Sequence, residues 1–192
     1  MTVTYTNRRG KTYYLHQGQT SKGNPKYHFA QHQEGGDLVD QIPAGHEIYE
    51  NPNGQVFLRK IPAQIITAEE VAAVRDGMQR YGHLERFIID VKKNAILVYA
   101  PDQDVDMLLE ALSPLGDVMR PGVRERLESY LNYSPMLRFV LVDKANRLFQ
   151  AYRFTFFSDF DDWMPIGTKG DLPALVKEYA PHLEQDSYYE LY

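Results

Sequence analysis

Residues 86–100, RFIIDVKKNAILVYA, and residues 138–152, RFVLVDKANRLFQAY, can be laid over one another at an offset of 52. Arg86 then falls on Arg138, Phe87 on Phe139, Lys92 on Lys144 and Asn94 on Asn146. Each stretch is a pair of β-branched, apolar runs around a polar tip, the pattern of a β-hairpin. At the same offset Val71 meets Val123 and Tyr81 meets Tyr133, in segments whose apolar residues recur at helical spacing. The pattern predicts two helix–hairpin–helix units, 67–115 and 121–181. Their hairpins would form a four-stranded antiparallel sheet with helices on one face, an α+β fold.

Local signals place the helices. Thr67-Ala-Glu-Glu70 is a capping box, and Val71, Val74, Met78 and Tyr81 make one stripe before Gly82. Acids at Asp102, Asp104 and Asp106 favour the positive end of a helix carrying Val105, Leu108, Leu109 and Leu112, ended by Pro114. Pro121 opens a third helix with Val123, Leu127, Tyr130 and Leu131 inward. Asp171 caps a fourth, with Leu172, Leu175, Val176 and Tyr179 inward. Residues 158–167, SDFDDWMPIG, read as a loop inserted in the second unit, and 184–192 as a helical extension or a loose end.

Residues 1–62 carry no helical period. Val3–Thr6, Thr12–His16 and Lys26–Ala30 are aromatic, β-branched runs, and the Gly-, Asn- and Ser-rich stretches between them read as turns. They predict an antiparallel β-meander. A hairpin follows, with strands 47–50 and 55–59 joined through Asn51-Pro52-Asn53-Gly54. Two domains are therefore expected: a basic, aromatic all-β segment, 1–62, and an α+β domain, 63–192.

Charge divides unevenly. Five basic residues (Arg8, Arg9, Lys11, Lys22, Lys26) and no acidic one precede Glu34, leaving 16 basic against 26 acidic residues after it. A cationic head on an anionic body points to an anionic partner, or equally to docking of the head against the chain's own acidic body. Hydrophobic content of 43% and charged content of 24% are those of a globular chain. With no cysteine, disulfides and thiolate zinc sites are excluded. No apolar run approaches a membrane span, and Met-Thr-Val-Thr-Tyr5 lacks the apolar stretch of a signal peptide, so a cytoplasmic location is expected.

Arg8, Arg9, Lys11, Lys22 and Lys26 flank the meander turns, with Tyr13, Tyr14, Tyr27 and His28 on the strands between. Cations for phosphates and aromatic faces for bases are what single-stranded nucleic acid requires. A second candidate is the acidic loop of Asp159, Asp161 and Asp162 around Trp163, the only tryptophan, as an anchor for a protein partner. The strand Phe87-Ile-Ile-Asp90-Val-Lys92 resembles the metal-binding strand of restriction-endonuclease-like nucleases. That likeness implies an acid, Asp90, holding a divalent ion and a lysine, Lys92, placing water. It lacks the second acid on a neighbouring strand. His28 and His32 stand four apart with His16 across the meander, but side chains on strands need not converge, and no metal or cofactor is assigned.

The stretches TNRRGKTYYLH (6–16), IYENPNGQVFL (48–58) and YAPDQDV (99–105) resemble those of a family of bacterial proteins that brings no activity with it. The likeness implies a bacterial, cytoplasmic origin. The sequence thus leads to a non-catalytic binding protein whose head contacts an anionic partner, nucleic acid first. The alternatives are a protein–protein adaptor using 158–167 and a metal-dependent nuclease centred on Asp90 and Lys92.

Overall fold

The computed structural model describes residues 1–112, 122–157 and 160–192. The expected stop at Pro114 and start at Pro121 lie outside them. The chain forms two compact units, one of Met1–Pro62 with Gln103–Asn132, the other of Ala63–Asp102 with Tyr133–Tyr192. The division at 62/63 is where the sequence changes character, while 103–132 groups with the head.

In the first unit β1 (Thr4–Thr6), β2 (Thr12–Gln19) and β3 (Pro25–Ala30) form the antiparallel meander, with Tyr5 opposite Tyr13 and Leu15 opposite Phe29. A two-residue β4 (Asp37–Leu38) pairs with β2 at Gln17 and His16. The first turn is held by Asn7, whose Oδ1 accepts from the backbone N–H groups of Arg9 and Lys11. Such Asx geometry is why Asn favours turns. Strands β5 (His46–Glu50) and β6 (Val56–Lys60) make the expected hairpin. Asn51 Oδ1 accepts from Asn53 and Gln55, and Gly54 takes φ +75°.

The second unit opens with α1 (Ala68–Tyr81), begun by the reciprocal Thr67–Glu70 capping box. After β7 (Ile88–Lys92) and β8 (Ala95–Pro101), α2 (Val105–Leu112) and α3 (Val123–Tyr130) belong to the first unit. The chain then returns as β9 (Tyr133–Asp143), β10 (Leu148–Phe157), β11 (Phe160–Gly170) and α4 (Leu172–Tyr179). The antiparallel sheet therefore has five strands, ordered β11-β10-β9-β8-β7, where four were expected. The fifth is β11, made from most of the stretch read as an inserted loop.

At the 52-residue offset α1 overlaps α3, β7 overlaps β9 and β8 overlaps β10, but the match does not hold residue by residue. Tyr81 closes a helix whereas Tyr133 opens a strand, and the first hairpin turns through two residues, the second through four.

Ile96, Val98, Leu137, Phe139, Phe149 and Ile166 point to one face of the sheet, where Val74, Met78, Leu175 and Val176 of α1 and α4 complete the core. The fully buried Phe139 and Phe149 each contribute about 1.5–3 kcal/mol. The chain end is neither a helical extension nor loose. Short 3₁₀ turns at Ala180–His182 and Asp186–Glu190 fold it back. Tyr188 is buried, its hydroxyl accepting from Phe154 N (3.0 Å) and lying 2.8 Å from Met136 O, and Gly167 N donates to Tyr192 O. Among the described residues no helix is long and apolar enough to cross a membrane.

Candidate functional site

The meander does not gather its nine candidate residues into one surface. Arg8, Arg9 and Lys11 sit at the β1–β2 turn, Lys22 and Lys26 at or beside the β2–β3 turn. Those turns lie at opposite ends of the eight-residue β2, roughly 25 Å apart at strand rise. Because cross-strand partners share a face, Tyr13 and Tyr27 lie on the side of the fully buried Leu15, while Tyr14, Lys26 and His28 lie on the other. Arg8 Nη2 donates to Leu131 O (2.8 Å), and Arg9 Nη2 donates to Leu131 O (3.3 Å) and Asn132 Oδ1 (2.7 Å). Both close the C-terminal end of α3, where carbonyls lack helical partners and the dipole favours cations. Lys11, Lys22 and Lys26 are exposed.

His28 stacks on the buried His16 (centroids 5.3 Å, planes 20° apart), whose Nε2 lies 2.9 Å from His32 O. Nearly parallel rings aim their nitrogens alongside one another rather than at a common point. Among the described residues no group of three His, Asp or Glu side chains is disposed to hold a metal ion.

The sheet of the second unit offers a more concentrated arrangement. Register places Asp90, Leu97, Arg138, Tyr152 and Pro165 in one row across all five strands, on the face opposite α1 and α4. The groove on this face has a volume of about 520 Å³, within the size range of ligand pockets. Its polar lining is Lys92, Lys93, Asn94, Tyr99, Arg138 and Tyr152, and Trp163 supplies a further aromatic wall.

The Arg138 guanidinium lies 4.5 Å from the Tyr152 ring centroid and 4.6 Å from that of Trp163. Its Nε is buried without a hydrogen-bond partner. Burial lowers the Arg138 pKa, opposed by the nearby Tyr152 and Asp162, yet a guanidinium stays charged at any physiological pH. Lys92 Nζ donates to Tyr99 Oη (3.0 Å) and lies 3.6 Å from Asp90. Burial works to lower the Lys92 pKa, but the contacts with Tyr99 and Asp90 outweigh it and hold the amine above its ordinary value. Both cations are therefore fixed charges.

Trp163 is half-buried, edge-on to Phe154 (5.1 Å, 74°), with its backbone N–H on Asp162 Oδ1 (2.7 Å). Asp159 and the Asp161 side chain lie outside the described residues. Asp90 has Leu97 as its cross-strand partner, so the neighbouring strand brings no second acid opposite it. Among the described residues the groove lining contains no carboxylate, histidine or hydroxyl other than phenol, and what it presents is charge and aromatic surface.

Arg138, Tyr152 and Tyr99 escaped the sequence reading. A usable signal existed: in the run Leu137-Arg-Phe-Val-Leu141 the arginine takes an outward position of a period-two strand. Folding the hairpin about residues 144–147 sets Tyr152 opposite it. A comparison with family models, curated proteins and solved structures finds no match to this chain.

Proposed function

We propose that this protein binds an anionic partner without transforming it, and that the partner is single-stranded nucleic acid. The observation supporting this is Arg138, a charged guanidinium among Tyr152 and Trp163 with no hydrogen-bond acceptor among the described residues. Lys92 and Lys93 line the same groove. Phosphates need the cations, and each base stacked on an aromatic ring contributes about 1–3 kcal/mol. The surface is local, as it must be in a chain of formal net charge −5. The exposed Lys11, Lys22 and Lys26 of the meander are the remaining candidates for further phosphate contacts.

Fluorescence anisotropy with labelled single-stranded DNA and RNA across a salt series tests this reading. Contacts from Lys92, Lys93 and Arg138 give a log–log salt slope of about −2. An affinity indifferent to salt, or no binding at low salt, overturns it.

A further inference from the structure

We infer that the groove discriminates among bases, taking guanine in preference to thymine or adenine, and that Arg138 is the residue that reads it. The inference rests on the nucleic-acid reading above and adds a specificity to it.

Arg138 differs from the other arginines whose contacts are defined. Arg59 donates to Glu47, Arg124 to Asp106, Arg147 to Glu70 and Arg153 to Leu191 O. Arg138 donates to no acceptor among the described residues, although its Nε is shut off from water. Arg138 lines the groove. Aromatic rings lie against the guanidinium, so a ligand is received chiefly by the N–H groups in its plane.

The backbone that carries it is paired on both sides. Arg138 stands on the central strand, between Leu97 of β8 and Tyr152 of β10. A planar fork held on a paired strand loses little freedom when it meets a planar acceptor pair. Guanine offers such a pair in O6 and N7, both acceptors and coplanar. Adenine presents an acceptor beside a donor, and the donor meets the arginine's own N–H. Thymine separates its two carbonyl acceptors by a ring N–H. Cytosine has adjacent acceptors in O2 and N3 but a smaller ring to stack, which places it second. Backbone phosphates also suit the fork, but they are the same in every sequence and produce no preference.

The experiment uses the full chain and fluorescein-labelled thymidine oligomers in which one central base is replaced by G, C or A, titrated by anisotropy at low salt. The expected result is tightest binding of the G oligomer, by about tenfold over the unsubstituted thymidine oligomer. In Arg138→Lys, which keeps the charge and loses the fork, affinity for thymidine falls only a few-fold and the G preference disappears. Far-UV circular dichroism confirms that the variant is folded. Equal binding of all four oligomers by the unmodified protein overturns base reading while leaving nucleic-acid binding intact. A G preference that survives in Arg138→Lys removes Arg138 as the reader. No binding to any oligomer overturns the nucleic-acid reading and this inference with it.

Discussion

Gly77 of α1 meets Val176 of α4 so closely that a β-carbon on the glycine would lie 2.4 Å from Val176 Cγ1. Two effects compete in Gly77→Ala. The substitution gains up to about 1 kcal/mol of helix propensity. The clash is with a fully buried β-branched side chain, whose rotamer a helix largely fixes, so it cannot swing aside. Overpacking of this kind costs about 1–3 kcal/mol, and the net effect is destabilising. Urea unfolding is expected to show a lower midpoint for Gly77→Ala.

Arg147, at the tip of the β9–β10 turn, sends Nε (2.8 Å) and Nη2 (2.6 Å) to Glu70 Oε1, on the same carboxylate that closes the α1 capping box. The arginine adopts φ +52°, a left-handed conformation that costs energy in any residue but glycine. Such a position persists because the ion pair offsets it. Arg147→Ala is expected to lose about 1 kcal/mol, since the pair is partly exposed, and Arg147→Gly less, because backbone strain is relieved. Thermal unfolding of the two variants ranks them.

Two phenols give the fold an alkaline limit. Burial first, and then the neighbouring Glu178, pushes the Tyr179 hydroxyl up to about 12. Burial likewise raises Tyr188, against the opposing pull of its backbone hydrogen bond and Arg153. A raised phenol pKa means that the native state favours the protonated form. The contribution is complete below the unfolded value near 10 and is lost as pH rises through about 12 for Tyr179. Urea unfolding between pH 9 and 12 is expected to show falling stability, with a shallower fall in Tyr179→Phe. At neutral pH Tyr188→Phe leaves the Phe154 N–H without its hydroxyl acceptor and costs about 1–3 kcal/mol.

Arg8 and Arg9 separate structural from binding cations. Their guanidinium groups are engaged at the end of α3 through Leu131 O and Asn132 Oδ1. Arg9→Ala is expected to lower the unfolding midpoint and leave oligonucleotide affinity unchanged, whereas the exposed Lys93→Ala is expected to lower affinity and leave the midpoint unchanged. Paired unfolding and anisotropy measurements distinguish them.

What the sequence revealed was what neighbouring residues decide. The capping box at Thr67, the Asn51–Gly54 turn and the two hairpins depend on interactions within a few positions, and each stands where the residues place it. Strand β11 was hidden by its own composition, since Asp161, Asp162, Pro165 and Gly167 read as loop. It is an edge strand, where a missing backbone N–H at proline is tolerated. The groove was hidden for a different reason. Lys92, Arg138, Tyr152 and Trp163 come from four strands, and only the register across the sheet brings them together. The five cations that stand together in the sequence of the head are spaced apart by the turns that carry them.

Trp163 is the only tryptophan in the chain and its indole faces Arg138 in the groove, so its emission reports on that site alone. The decisive measurement is titration of its intrinsic fluorescence with a short single-stranded oligonucleotide at low salt. The account requires saturable quenching that weakens as salt rises and is lost in Arg138→Ala. Emission that stays constant throughout the titration would contradict it.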